Sequence, residues 1–178
     1  MLKRHFVVPL YFVFAALLAA PSAVASGTGG ASGKHCVTAL ESGETTCYAS
    51  FAEAVSHLSG GKVQDISSPR ELTDTVVDRI NAEAASVTVG VLYDDRDFRG
   101  DTQIFSGPGA CVTSRGVDYQ ANIPLRFNDR TTSFQGFSKC LVEIYEHTNW
   151  TGTWEGPYRS KASVDFFINN KASSVKFW

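Results

Sequence analysis

The stretch YDDRDFRG at residues 93–100 decides the fold, because it recurs as YEHTNWTG at residues 145–152. Both copies fit the pattern Y-x-x-x-x-[FW]-x-G. Each is followed by a related hexapeptide, NDRTTS at residues 128–133 and NNKASS at residues 169–174. Two elements repeated in the same order indicate that this half of the chain contains two related structural units.

The repeated motif has a physical interpretation as a folded hairpin. Its glycine can adopt backbone conformations that other residues avoid, and its aromatic ring can cover the bend. A serine that ends the later hexapeptide can hydrogen-bond back to the hairpin. Alternating residues at 87–93 and recurrent Gly, Asn and Asp turns predict short strands around these motifs. Each unit is predicted to be a four-stranded Greek key, and the two are predicted to pack as a sandwich.

Residues 86–178 resemble the βγ-crystallin superfamily, both in the hairpin motif and in the paired [ND]-[ND]-x-x-[ST]-S hexapeptides. The resemblance implies a mainly β, two-Greek-key sandwich, preceded here by a small helical or α+β segment. Microbial members of that superfamily commonly bind calcium at the hexapeptide loops, so the resemblance also implies up to two Ca²⁺ ions. Calcium suits such loops because it takes hard oxygen ligands from carboxylates, carbonyls and water.

The metal ligands implied by the resemblance come from both loops and from the residue after each motif tyrosine: Asp94, Asp129, Arg130, Thr132, Glu146, Asn170, Lys171 and Ser173. Residues at the third position of a loop, and those after the tyrosines, supply only backbone carbonyls. The side chain at the second position crosses to the other loop, so that Asn170 joins Thr132 and Asp129 joins Ser173. The closing serines of the hexapeptides are expected to hold the hairpins instead.

Charge ranks the two implied sites, because calcium affinity rises with the charge of the ligands. The site with the Asp129 carboxylate is expected to be the tighter one, since the other has only the neutral amide of Asn170. Few charged ligands predict affinities between micromolar and millimolar. A metal-free interpretation stays open, because Asn, Asp, Ser and Thr also form turns by bonding to their own backbone.

The amino-terminal residues 1–25 are typical of a secretory signal. Lys3 and Arg4 precede an apolar run at residues 6–20, and a small-residue cleavage site precedes Ser26. The run is shorter than the roughly 20 residues that span a membrane, so an exported protein without a membrane anchor is predicted. Removing the two cations changes the net charge from −2 to −4, which disfavours nucleic-acid binding.

Between the signal and the β region, residues 26–35 are predicted to be a flexible leader and residues 36–85 a small disulfide-containing helical segment. Ser50 with Glu53, and Ser68 with Glu71, have the spacing of capping boxes, and apolar residues follow each at helical spacing. The second helix is predicted to continue to about residue 84.

The four cysteines, Cys36, Cys47, Cys111 and Cys140, suit an oxidising compartment and allow three disulfide pairings. The nearest-neighbour pairing, Cys36–Cys47 with Cys111–Cys140, is preferred because it keeps each bridge within one region. A zinc site is the weaker alternative, because the sequence has no C-x-x-C.

Catalytic motifs such as H-E-x-x-H, G-x-S-x-G and the P-loop are missing from the sequence, and its mature histidines, His35, His57 and His147, have no metal-ligand partner at i+4. The prediction is a non-enzymatic, secreted calcium-binding protein whose ion stabilises the fold. The acidic run from Asp94 to Asp101 is predicted to be a solvated hairpin loop, with its charge offset by Arg96 and Arg99.

Two other functions stay open. Secreted bacterial metalloproteinase inhibitors resemble this fold, and the first unit is 11 residues longer than the second, within residues 106–122, which would be the inhibitory loop. A toxin or cell-wall-directed effector is the second. The candidate partners are therefore an extracellular protease or a cell-surface component. An exposed subset of the aromatic residues could also form a carbohydrate surface.

Overall fold

The structure is a computed structural model that describes residues 34–82, 84–112 and 116–178. The predicted signal and nearly all of the predicted leader lie outside these residues. Within the described ranges, no helix has the length and apolar character needed to cross a membrane. The chain is mainly β with two helices.

The amino-terminal part contains two strands and two helices, which are β1 (His35–Ala39), β2 (Thr45–Tyr48), α1 (Phe51–Leu58) and α2 (Asp74–Ala82). Eight strands follow: β3 (Val87–Asp95), β4 (Arg99–Gly107), β5 (Tyr119–Asn122), β6 (Ser133–Gly136), β7 (Val142–His147), β8 (Thr151–Tyr158), β9 (Ser160–Lys161) and β10 (Ser174–Phe177). Short 3₁₀ turns lie at Pro69–Glu71 and Thr148–Trp150.

These strands form a six-stranded sheet in the order β2-β1-β4-β3-β6-β9 and a four-stranded sheet in the order β5-β10-β7-β8. The two repeated units exchange strands. β5 belongs to the first unit but pairs with β10 of the second, whereas β9 belongs to the second unit but pairs with β6 of the first. Each sheet therefore contains strands from both units.

The main core lies between the two sheets and takes buried side chains from both of them. Phe177 of β10 packs against Phe105 of β4, with 5.4 Å between the ring centroids. Gly90 of β3 allows this approach, since a Cβ at that position would overlap the Phe177 ring. Phe105 and Phe177 thus contribute one aromatic ring from each sheet to the contact between them.

A second core lies on the outer face of the six-stranded sheet, beneath the amino-terminal segment. Phe51 and Val55 of α1 and Ile80 of α2 are buried there against Val91 and Tyr93 of β3. β3 is consequently covered on both faces, which is why its burial does not follow the simple alternation of a half-exposed strand.

The amino-terminal segment differs from the sequence expectation in one helix. Both predicted capping boxes are present, but the second holds only the 3₁₀ turn at Pro69–Glu71. The chain becomes extended at Leu72, and α2 begins after Thr73, whose hydroxyl accepts a hydrogen bond from Val76 N at 3.3 Å. The single long helix predicted from residue 68 onward is therefore wrong, because Thr73 provides a second start.

The preferred disulfide pairing is confirmed, with bridges Cys36–Cys47 and Cys111–Cys140. The first joins directly opposed residues of β1 and β2. β1 also pairs in parallel with β4, so the segment extends the larger sheet as well as covering it.

Candidate functional site

The two hexapeptide loops lie against each other and are joined through their backbones. Asp129 N donates to Ala172 O at 3.1 Å, and Asn170 N donates to Thr131 O at 3.0 Å. Asp129 and Asn170 each occupy the second position of a loop, and both have left-handed backbone conformations, with φ of 58° and 57°. Asn and Asp tolerate this conformation better than most residues do, so both loops turn in the same way.

The side chains at these second positions cross to the opposite loop. The Thr132 hydroxyl donates to Asn170 Oδ1 at 3.0 Å, and the Ser173 hydroxyl donates to Asp129 Oδ1 at 3.3 Å. Within each of the two predicted sites, the structure thus places the two side chains in contact. Asp129 and Asn170 are exposed, whereas both hydroxyl residues are buried.

Each loop is also attached to the strand that carries its motif tyrosine. Thr132 N donates to Tyr93 O, and Ser173 N donates to Tyr145 O, both at 2.8 Å. The residue after each tyrosine, Asp94 or Glu146, therefore lies next in sequence to the carbonyl that anchors the loop.

The closing serines hold the hairpins. The Ser133 hydroxyl donates to Asp95 O at 2.6 Å and accepts from Phe98 N at 3.2 Å. The Ser174 hydroxyl makes the matching bonds with His147 O and Trp150 N, at 2.6 Å and 3.0 Å. Both serines are fully buried, and their hydroxyls are used in the hairpins.

The carboxylates after the motif tyrosines have a role that the sequence analysis missed. Asp94 Oδ1 accepts from Asp101 N at 2.6 Å, and Glu146 Oε2 accepts from Thr153 N at 3.2 Å. Both bonds span seven residues across the hairpin. A carboxylate at this position of both copies was the signal that could have revealed the role.

The prediction that the acidic run is only a solvated loop needs correction. The Arg130 guanidinium of the first hexapeptide pairs with Asp94 Oδ2 at 2.5 Å and Asp101 Oδ2 at 2.7 Å. Hydrogen bonding to Asp101 raises the pKa of Arg130, and burial raises the pKa of Asp94 against the opposing hydrogen bond from Arg130. Arg130 therefore supplies the counter-charge, in addition to the exposed pairing of Arg99 with Asp97.

The donor set of the crossing pairs fits calcium. Each pair contributes two oxygens 3.0 or 3.3 Å apart, and adjacent oxygens bound to one Ca²⁺ at 2.3–2.6 Å lie roughly 3 Å apart. Two further loop oxygens, Thr131 Oγ1 and Asn169 Oδ1, are buried without a hydrogen-bond partner. In the described ranges no three His, Cys, Asp or Glu side chains are grouped to hold a metal, so hydroxyl, amide and carbonyl oxygens would have to supply most ligands.

The local charge differs between the two crossing pairs. The pair of Thr132 and Asn170 carries no charge of its own, and Arg130 in the same loop is cationic. The pair of Ser173 and Asp129 contains one carboxylate, with the cation Lys171 in its loop. The Asp129 pair is the more attractive of the two for a cation on these charges.

The histidines are distributed over different environments. His35 Nδ1 lies 3.1 Å from Thr102 Oγ1, and its ring meets the edge of Phe51 at 5.5 Å. The His57 ring packs near Tyr48 at 5.2 Å. His147 is exposed and contributes its carbonyl to the second hairpin.

The extra residues of the first unit follow β4. Cys111 is bridged to Cys140, Val112 N donates to Asp118 Oδ2 at 2.8 Å, and the Tyr119 hydroxyl donates to Gly109 O at 2.9 Å. Residues 113–115 are outside the described ranges, and the role of this loop in inhibition stays a prediction.

About half of the chain forms a domain with structural similarity to βγ-crystallin domains. No protein-family model matches the chain, and no curated protein matches it. A βγ-crystallin domain from Clostridium beijerinckii is similar at 24% identity and a TM-score of 0.39, over 51% of this chain and 97% of that one. A βγ-crystallin domain from Flavobacterium johnsoniae is similar at 18% identity and a TM-score of 0.38, over 51% and 93%. A third, from Abundant Perithecial Protein of Neurospora crassa in the Ca²⁺-bound form, has 21% identity and a TM-score of 0.36, over 51% and 87%.

Proposed function

We propose that this protein is exported and binds up to two Ca²⁺ ions between its hexapeptide loops, where the ions stabilise the folded domain without a catalytic role. The observation that carries the proposal is the reciprocal crossing of Asn170 to Thr132 and of Asp129 to Ser173. Turns that need no metal require only bonds within their own loop. Here each loop instead sends a side-chain oxygen to a hydroxyl of the other.

In this proposal residues 86–178 form two Greek keys, and each ion is shared between them. Bound calcium would supply a positive charge that links oxygens of the two loops. One ion would be held by Thr132 and Asn170 with the carbonyls of Asp94 and Arg130. The other would be held by Ser173 and Asp129 with the carbonyls of Glu146 and Lys171.

Export is supported by the predicted signal and by the two disulfides. Such bridges persist in oxidising environments and are rare in the cytosol. A cation that stabilises the folded state would also suit an environment where chaperones are scarce. An ion present at a hundredfold excess over its Kd stabilises the folded protein by about 2.7 kcal/mol.

The test is calorimetric titration of Ca²⁺ into chelator-treated exported protein, expected to start at Ser26, followed by melting curves with and without the ion. We expect binding between micromolar and millimolar and a Tm increase of roughly 5–10 °C at a hundredfold excess over Kd. If millimolar calcium produces no heat of binding and no change in Tm, the hexapeptide loops are turns that hold no metal and the proposal is refuted.

Two near-isosteric variants test which residues hold which ion. Asp129→Asn removes one ligand charge and should weaken the tighter site about tenfold or more, whereas Asn170→Asp adds a charge and should strengthen the weaker site. Asp65→Asn is the matched control, because Asp65 is exposed and pairs with Arg79 of α2. Equal effects of all three variants would contradict the assignment.

A further inference from the structure

The outer faces of the two sheets differ in what covers them. The amino-terminal segment packs over the outer face of the six-stranded sheet. On the four-stranded sheet, Val142 and Ile144 of β7 point into the core, so the alternating residues Glu143 and Tyr145 lie on the outer face. Trp154 is paired with Tyr145 and shares this face.

β10 contributes to the same surface. Its residues Val175 and Phe177 are in the core, which places Lys176 and, by the same alternation, Trp178 outside. We call this surface the aromatic face, defined by Glu143, Tyr145, Trp154, Lys176 and Trp178. Trp154 is 62% exposed, which is unusual for the largest side chain on a strand.

The internal repeat allows the aromatic face to be compared with the equivalent face of the first unit, which the amino-terminal helices cover. The counterparts of Tyr145 and Trp178 in the first unit are Tyr93 and Phe137, which are buried beneath the amino-terminal segment. The counterpart of Glu143 is Val91, which is also buried there. A hydrogen-bonded carboxylate thus stands on this face where the covered face has an aliphatic residue.

Hydrogen bonds hold two of the three rings of the aromatic face in place, those of Tyr145 and Trp178. Glu143 is only 6% exposed, and its Oε2 accepts from Tyr145 OH at 2.6 Å and from Trp178 Nε1 at 2.9 Å. Lys176 Nζ donates to Tyr145 OH at 3.2 Å and lies 4.8 Å from the Tyr145 ring centroid. Burial, together with the Glu143 hydrogen bond, raises the pKa of Tyr145, so its hydroxyl remains protonated.

The chemistry of the aromatic face selects among ligands. Glu143 and Lys176 neutralise one another, so the face has no net charge for an anionic or cationic partner. A sugar ring matches this surface, because its C–H faces stack on aromatic rings while its edge hydroxyls bond to polar groups such as Lys176 and the neighbouring Gln120. A broad sheet face suits an extended, flat chain.

We propose that the aromatic face binds a flat β-1,4-linked polysaccharide of the cellulose or chitin type. Trp154 is the principal stacking residue, and Tyr145 and Trp178 extend the platform. Its side chains are different from those expected to hold the ions, although the backbone carbonyl of Tyr145 also anchors the second hexapeptide loop.

The test combines sedimentation of the full exported protein with microcrystalline cellulose and chitin, and titration with cellohexaose and chitohexaose followed by tryptophan fluorescence. We expect retention on at least one solid and saturable binding of its hexamer. Trp154→Ala should weaken binding about tenfold or more, because it removes the exposed ring. Trp154→Phe should keep most of the affinity, since it retains an aromatic face.

Phe166→Ala is the control, because Phe166 is 78% exposed but belongs to the loop before the second hexapeptide. It should leave binding unchanged, and melting curves should show all variants folded. Failure of the wild type to bind either polysaccharide, or equal binding by wild type and Trp154→Ala, would overturn the proposal. So would analytical ultracentrifugation showing a wild-type dimer that Trp154→Ala dissociates, which would make the face an interface between copies.

Discussion

Removal of the Cys111–Cys140 bridge should be the more damaging of the two possible disulfide losses. The bridge closes a separation of 29 residues, for which the chain-entropy relation gives about 3.6 kcal/mol of stabilisation. Cys111 and Cys140 are both almost fully buried, so replacing them with Ala adds roughly 1 kcal/mol from lost packing. A Cys111→Ala/Cys140→Ala variant should therefore melt about 9–18 °C below the wild type.

The matched comparison is Cys36→Ala/Cys47→Ala, whose bridge closes a separation of 11 residues and is worth about 2.8 kcal/mol by the same relation. Urea unfolding without reductant, with m-values compared between variants, gives both free energies of unfolding. If the Cys36 and Cys47 variant is equally or more destabilised, loop closure does not set the order and the reasoning is wrong.

Three further predictions concern packing, pH and the hairpins. Gly90→Ala should lower the free energy of unfolding by about 1–3 kcal/mol, because the new Cβ overlaps the Phe177 ring. In a double-mutant cycle measured by urea unfolding, Phe177→Leu should restore part of this loss. No restoration would place the strain elsewhere. Burial lowers the pKa of His35 in the folded state. The unfolded state therefore binds a proton at this histidine more readily, and the free energy of unfolding should fall as the pH decreases below about 6.5. His35→Gln should flatten that slope in urea titrations, and an unchanged slope would assign it to other groups. Ser133→Ala should cost about 1–3 kcal/mol in thermal or urea unfolding, because two hairpin backbone groups lose their partner; a cost near zero would mean that water replaces the hydroxyl.

Much of the fold could be predicted from local signals, because each has a short-range cause. The glycine of each hairpin motif, Gly100 and Gly152, has a positive φ, of 81° and 82°. Ser50 and Glu53 make their reciprocal cap within one helical turn. The crossing of the hexapeptide side chains was implied by the resemblance to βγ-crystallins and not by a local signal.

Features that depend on distant parts of the chain could not be predicted in this way. Arg130 finds Asp94 and Asp101 across separations of 36 and 29 residues, and no spacing rule connects them. The aromatic face was equally hidden, because the sequence of β7 does not indicate which of the two sheets the amino-terminal segment covers. The start of α2 was also missed, because Ser68 caps only a 3₁₀ turn and the helix begins after Thr73.

The parallel pairing of β1 with β4 has a consequence for the order in which the chain matures. The His35 side chain contacts Thr102, which is 67 residues away in sequence. β1 therefore cannot pair with β4 until the β3–β4 hairpin has formed. The helices α1 and α2 can nucleate earlier, but the strands on which their apolar faces pack form only with this hairpin. The six-stranded sheet can therefore be completed only after the β3–β4 hairpin has formed, although its first strand comes more than 60 residues earlier in the chain.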